Sequence, residues 1–191
     1  RYLGPEQICA QLNLLAPEVV CGTGSLAENR CQAWLVGPGA VGDPDQAQRA
    51  REALASGLPV VADAGALDLL PAELGPQVVL TPHAGELVRV LAGQGVEAER
   101  EQIEASPAEY ARLAAGLTGA TVLLKGAATV IASPTGTLFS QDNATPWLAT
   151  AGSGDTLAGI LGALAATVRP EALERAGIPE PDRFAAVAAL A

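Results

Sequence analysis

Short apolar runs recur along the chain, bounded by glycine, proline or charged residues, and longer stretches with apolar positions at helical spacing separate them. The runs Glu18–Cys21, Ala33–Val36, Pro59–Ala62, Val78–Leu80, Thr121–Leu124, Thr129–Ala132 and Thr137–Phe139 predict strands. The stretches Asp45–Ala55, Gly85–Leu91, Pro107–Leu117 and Asp155–Thr167 predict helices. Alternation of this kind predicts an α/β fold, a mostly parallel sheet with helices on both faces. The last two strand runs are separated by Ser-Pro-Thr-Gly, which predicts a hairpin. Gly93–Ser106 is the most polar stretch and reads as a surface excursion. No internal repeat or long linker interrupts the pattern. The chain starts at Arg1 and stops at Ala191 inside the apolar helical pattern that begins at Phe184. Both ends read as cut, so one domain over residues 1–191, truncated at each end, is expected.

Composition narrows this picture. A length of 191 residues with 49% hydrophobic and 17% charged residues is that of one globular domain. Aromatics are only 3%, so the core must be built from Ala, Val, Leu and Ile. A net charge of -10 repels phosphate backbones and argues against nucleic acid. It leaves room for a small phosphorylated ligand, because backbone amides can hold an anion inside an acidic protein. Cys9, Cys21, Cys31 and the single His83 stand in no metal-binding spacing, so no metal ligand is assigned. The odd cysteine count points to a reducing, cytoplasmic compartment. No charge-free apolar run reaches the roughly 18 residues of a membrane span, so no membrane partner is expected.

Candidate chemistry lies at the predicted strand ends, where ligands of such sheets bind. They read Gly37-Pro38-Gly39, Asp63-Ala64-Gly65, Thr81-Pro82-His83-Ala84-Gly85-Glu86 and Lys125-Gly126. The richest segment is Ala149-Thr150-Ala151-Gly152-Ser153-Gly154-Asp155, a glycine-rich turn that opens a helix. Free amides and the helix dipole favour an anion there, and Gly152 and Gly154 let a phosphate approach the backbone. Asp155 then stands where a carboxylate can take a proton from a hydroxyl attacking phosphorus, or where it merely caps the helix. Lys125, beside Gly126, can reach a phosphate or remain a solvated strand-end lysine. His83 is a ligand contact or a turn residue, with Thr81 or Glu86 able to cap the following helix. Ser153 lacks partners for a catalytic triad.

Gly37-Pro38-Gly39-Ala40-Val41-Gly42 matches the dinucleotide-binding glycine pattern, and Asp63 follows Gly42 by 21 residues. Pro38 removes an N–H from that loop, and Asp43-Pro44 is expected to delay the helix and adds negative charge. A tight strand-to-helix turn is the stronger reading.

Taken in order, Gly37-Pro38-Gly39, Asp63-Ala64, Thr81 to Glu86, Val122-Leu123-Leu124-Lys125-Gly126 with Thr129 to Ala132, and Ala149 to Asp155 resemble the NAD(P)H-hydrate dehydratases over nearly the whole chain. The resemblance implies a ribokinase-like three-layer sandwich. It implies ADP- or ATP-dependent dehydration of the 6S-hydrates of NADH and NADPH, with Mg²⁺ expected. It implies that Lys125, Gly126, Ala127, Ala128 and Thr129 line the adenine nucleotide, with Gly152, Ser153 and Gly154 on its phosphate side. Asp155 is implied as base and hydrate contact, with Gly39 and His83 as further hydrate contacts. A homo-oligomer, and an epimerase domain fused upstream, are implied as well. Asn143-Ala144-Thr145-Pro146-Trp147 departs from the family's usual pattern. Two alternatives stay open, a vitamin-precursor kinase of the same fold and a nucleotide-binding module without turnover.

Overall fold

The computed structural model describes residues 1–39 and 42–191. The chain runs β1 (Tyr2–Leu3), α1 (Glu6–Leu15), β2 (Cys21–Gly22), β3 (Trp34–Val36), α2 (Pro44–Leu54), β4 (Val60–Ala62), β5 (Val78–Leu80) and α3 (Ala84–Gly93). It continues through α4 (Arg100–Ala105), α5 (Pro107–Thr118), β6 (Thr121–Leu124), β7 (Thr129–Ala132), β8 (Leu138–Gln141), α6 (Ser153–Thr167), α7 (Pro170–Arg175) and α8 (Arg183–Ala188). Strands β3 to β8 form a six-stranded sheet in chain order. Pairs β3–β4, β4–β5 and β5–β6 are parallel; β6–β7 and β7–β8 are antiparallel.

Because side chains alternate across a strand, each buried strand feeds two cores. Val60, Ala62, Val78, Leu80, Val122 and Leu124 pack with Leu54 of α2, Leu87 and Leu91 of α3 and Ala111 and Ala115 of α5. Val61, Val79, Leu123 and Ile131 face the other way, against Ala158 and Leu161 of α6 and Val187 of α8. The result is the expected sheet between two helical layers.

Several local expectations change. Glu18–Cys21 does not join the main sheet; only Cys21–Gly22 is extended, paired parallel with β1 in a separate two-stranded sheet. The pair Asp43-Pro44 starts α2 rather than delaying it. Proline at the first helical position gives up no hydrogen bond, and the Asp43 carboxylate accepts from the amides of Asp45 and Gln46 at 2.9 and 3.2 Å. Gly93–Ser106 is not only surface, since it contains α4, whose Ile103 is buried against the α3–α5 side. One apolar anchor among polar residues is too weak a periodic signal to announce a six-residue helix.

The β7–β8 hairpin forms as expected and is tied to the C-terminal layer. Buried Asp182 accepts from the Thr135 hydroxyl and, at 3.0 Å, from the Thr137 hydroxyl. Burial alone would push this carboxyl up, but the hydroxyls of Ser133, Thr135 and Thr137 together hold it below its ordinary value. A carboxyl lowered on folding stabilises above its unfolded value and loses that contribution as pH falls through its folded value. Asp182→Asn is therefore expected to cost roughly 2 kcal/mol at neutral pH. The gap to the parent should close in acid, as read from urea denaturation midpoints along a pH series.

Candidate functional site

The carboxyl ends of β4, β5 and β6 present Asp63, His83 and Lys125 side by side. The backbone is continuous with the sheet here: His83 and Lys125 form a parallel bridge, and the Lys125 amide donates to the Pro82 carbonyl at 2.8 Å. Lys125 then reaches over the end of β5, because β4 and β6 lie two strand spacings apart, about 10 Å. Its ammonium lies 2.7 Å from Asp63 Oδ1 and 3.9 Å from Glu86 Oε2. The Asp63 side chain is 3% exposed and that of Lys125 is 20% exposed, so this is a largely desolvated pair. It is not the solvated lysine left open from sequence.

Glu86 is positioned by the start of α3. His83, not Thr81, is the N-cap: its Nδ1 accepts from the Glu86 amide at 3.2 Å, while Glu86 Oε2 accepts from the His83 amide at 2.9 Å. This reciprocal pair holds the carboxylate toward Lys125. The buried Thr81 hydroxyl instead donates to the Ala62 carbonyl at 3.4 Å. His83 keeps an exposed ring edge, with Nε2 3.6 Å from Glu86 Oε2.

The N-terminus of α6 closes the arrangement. Gly152, with φ +87°, takes the left-handed conformation at the N-cap. The Ser153 hydroxyl donates to the Thr150 carbonyl at 2.9 Å, so it is a turn-stabilising group and not a nucleophile. A Cβ added at Gly154 would lie 3.5 Å from the Lys125 ammonium. The lysine and the amide-rich helix end therefore meet, which gives an anion both a point charge and free N–H donors. Asp155, one residue on, is exposed in the first turn. Gly126 and Ala127 are exposed in the β6–β7 turn, Ala128 is half-buried beside them, and Thr129 opens β7. Gly39 lies exposed in the turn after β3, where an added Cβ would meet nothing within 4 Å. Ala40 and Val41 of the glycine pattern lie outside the described residues. Among the described residues, no cluster of His, Cys, Asp and Glu is arranged to hold a metal.

What sequence reading missed is the pairing of Asp63 with Lys125; Asp63 stood out as a strand-end residue, a family marker and a possible ribose ligand, but not as the partner of a lysine. Its signal was its place after the wholly apolar strand β4, where a buried charge must be paired. The sheet order also runs without the strand reversal that creates a dinucleotide crevice, which removes the Rossmann reading.

A family model for NAD(P)H-hydrate dehydratase matches residues 1–190. The chain belongs to the NAD(P)H-hydrate dehydratase family. It is 40% identical over 178 residues to the bifunctional NAD(P)H-hydrate repair enzyme of Mycobacterium tuberculosis, covering 89% of this chain and 35% of that protein. It is 40% identical over 153 residues to the ADP-dependent (S)-NAD(P)H-hydrate dehydratase of Xanthomonas campestris, covering 78% of this chain and 51% of the other. The chain thus spans between a third and about half of these curated relatives. The Bacillus subtilis ADP/ATP-dependent NAD(P)H-hydrate dehydratase, solved with ATP and Mg²⁺, superposes with a TM-score of 0.73 at 29% identity, over 97% of this chain and 64% of that one. A ribokinase-like protein of Enterococcus faecalis, 22% identical with a TM-score of 0.67 over 95% of this chain and 72% of its own, shows the same fold.

Removing the lysine leaves Asp63 buried without its cation. Lys125→Met is expected to destabilise the dehydratase-family domain by roughly 3 kcal/mol, near the lower end for a broken buried pair because Lys125 keeps partial exposure. Adding Asp63→Asn should recover part of that loss, as measured by a double-mutant cycle in urea.

Proposed function

We propose that this chain forms the dehydratase centre of an enzyme that restores NADH and NADPH from their 6S-hydrates, with ADP or ATP as phosphate donor. The observation that carries the reading is the meeting of Lys125 with the glycine-rich start of α6, in a chain that matches the family model from end to end. Lys125 and the amides of Gly152 and Gly154 hold the nucleotide's phosphates, with Ser153 between them, its own amide donating to the Thr150 carbonyl at 3.2 Å. The Lys125–Thr129 turn lines the adenine side. His83 and Gly39 contact the hydrate. Asp155 takes the proton from the ring hydroxyl as its oxygen attacks the terminal phosphorus. The nucleotide leaves one phosphate shorter, and inorganic phosphate is then expelled from the ring with loss of a ring proton, so the double bond returns.

Mg²⁺ belongs to this reading as a partner of the phosphates. It keeps most of its ligands as water and phosphate oxygens and needs no protein cage, so the donor set here fits it. When bound it would neutralise charge on the transferred group. A homo-oligomer, a fused epimerase domain in the longer protein and a cytoplasmic location belong to the same proposal. The bifunctional relatives, of which this chain spans about a third, support the fusion. Among the described residues no helix is long and apolar enough to cross a membrane.

The test is recovery of the near-ultraviolet absorbance of reduced nicotinamide from prepared hydrate, with Mg²⁺ and ADP or ATP, while phosphate release is followed in parallel. Nucleotide-dependent recovery matched by phosphate supports the reading and names the donor. Nucleotide binding without recovery overturns it.

A further inference from the structure

His83 has two ring nitrogens, and the start of α3 uses one of them. Nδ1 accepts from the Glu86 amide at 3.2 Å. A ring nitrogen that accepts a hydrogen bond carries no proton, so the proton of the neutral ring sits on Nε2. Gly85 leaves room for this seating, since a Cβ there would stand 3.1 Å from Cε1 and 3.4 Å from Nδ1 of the ring. Nε2 is at the open edge. The His83 side chain is 58% exposed, and Glu86 Oε2 lies 3.6 Å from Nε2, too far for a hydrogen bond. That carboxylate oxygen already accepts from the His83 amide at 2.9 Å and stands 3.9 Å from the Lys125 ammonium.

The capping bond therefore decides what the outer edge of the ring can do. To take a proton at Nε2, the neutral ring would first have to carry its proton on Nδ1. Two N–H groups, that of Nδ1 and that of the Glu86 amide, would then point at one another, and the helix would lose its cap. The ring faces a ligand as a donor and not as a base.

We propose that His83 presents Nε2–H to an acceptor oxygen of the hydrate and takes no proton from it. The contact rests on the dehydratase reading above, whereas the tautomer rests on the cap alone. Proton removal is left to Asp155, and His83 serves to hold and orient the substrate.

Two measurements test this. The first is nitrogen NMR of the protein carrying isotope-labelled histidine. His83 is the single histidine of the sequence, and His83→Asn supplies the blank that assigns its signals. A neutral ring protonated at Nε2 is expected in the free protein; a ring protonated at Nδ1 overturns the proposal. The second is turnover of prepared hydrate, with Mg²⁺ and ADP or ATP, by the parent and by His83→Asn. Asparagine is a good N-cap and can accept from the Glu86 amide in place of Nδ1, but it has no donor where Nε2 stands. The melting temperature of this variant should stay near the parent's. Its KM for the hydrate should rise about five- to tenfold, as for one lost hydrogen bond, while kcat falls by no more than about threefold and KM for the nucleotide does not move. A kcat loss of about two orders of magnitude or more, the mark of a removed base, overturns the proposal. An unchanged hydrate KM in the variant, beside a parent that turns the hydrate over, overturns it alone. A parent that binds nucleotide but does not turn the hydrate over overturns the dehydratase reading, and the contact with it.

Discussion

Asp155→Asn is expected to lower nucleotide-dependent turnover of the hydrate by about two to four orders of magnitude, the usual loss when a positioned base is removed. Binding of ADP should change by no more than a few-fold. The reason is structural: the groups proposed to hold the phosphates are the helix-end amides and Lys125, and neither depends on the Asp155 side chain. The residue is exposed and makes no cap hydrogen bond, so its replacement should leave the melting temperature nearly unchanged. Single-turnover assays with prepared hydrate, run beside calorimetric titration with ADP, separate the two effects. Turnover retained in this variant would remove Asp155 from the mechanism.

Gly37→Ala should produce the largest structural effect. Gly37 has φ +113°, and a Cβ placed there would stand 1.7 Å from the Asp63 carbonyl oxygen and 2.9 Å from Ala66 Cβ. The first distance is far inside van der Waals contact, and the atom it meets is backbone, which cannot swing away. Asp63 also donates its amide to the Val36 carbonyl at 3.1 Å, so the two strand ends are locked together. The next residue, Ala64, already has φ +47°, a conformation that costs a residue with a side chain about 1 kcal/mol. Further strain has nowhere to go. The expected loss is about 3 kcal/mol or more, read from the urea midpoint. Asp63 would shift with it and carry Lys125 away from α6, so ADP affinity should fall together with stability. A variant as stable as the parent would refute the close packing of these strand ends.

The two ends of the chain's chemistry were not equally legible. The glycine-rich opening of α6 could be read directly, because a helix start and its glycines are neighbours in sequence. The hairpin of β7 and β8 was legible for the same reason, through its turn residues. The lysine–aspartate pair was not, since Asp63 and Lys125 are 62 residues apart and neither carries a local mark of its partner. The capping histidine was only half legible. Thr81 and Glu86 were the natural cap candidates by residue type, but Thr81 completes the strand-end hydrogen bonding, which leaves the cap to His83. Helix α4 escaped because polar residues dominate it and it buries only Ile103, and α1 because its apolar residues form no buried stripe, Cys9 alone being buried.

Local patterning by itself determined the class of fold and the place of the glycine-rich helix start proposed to hold an anion. Uninterrupted apolar strands must be covered on both faces, and a glycine-rich helix start offers free amides wherever it is placed. Tertiary structure decided which charges meet. Only the parallel order β4–β5–β6 brings Asp63 and Lys125 within reach across a strand end, and only the seating of α6 against that end puts Gly154 beside the ammonium. Such pairings depend on strand order and helix placement, which arise from burial summed over the whole core, and a local pattern of residues carries no record of them.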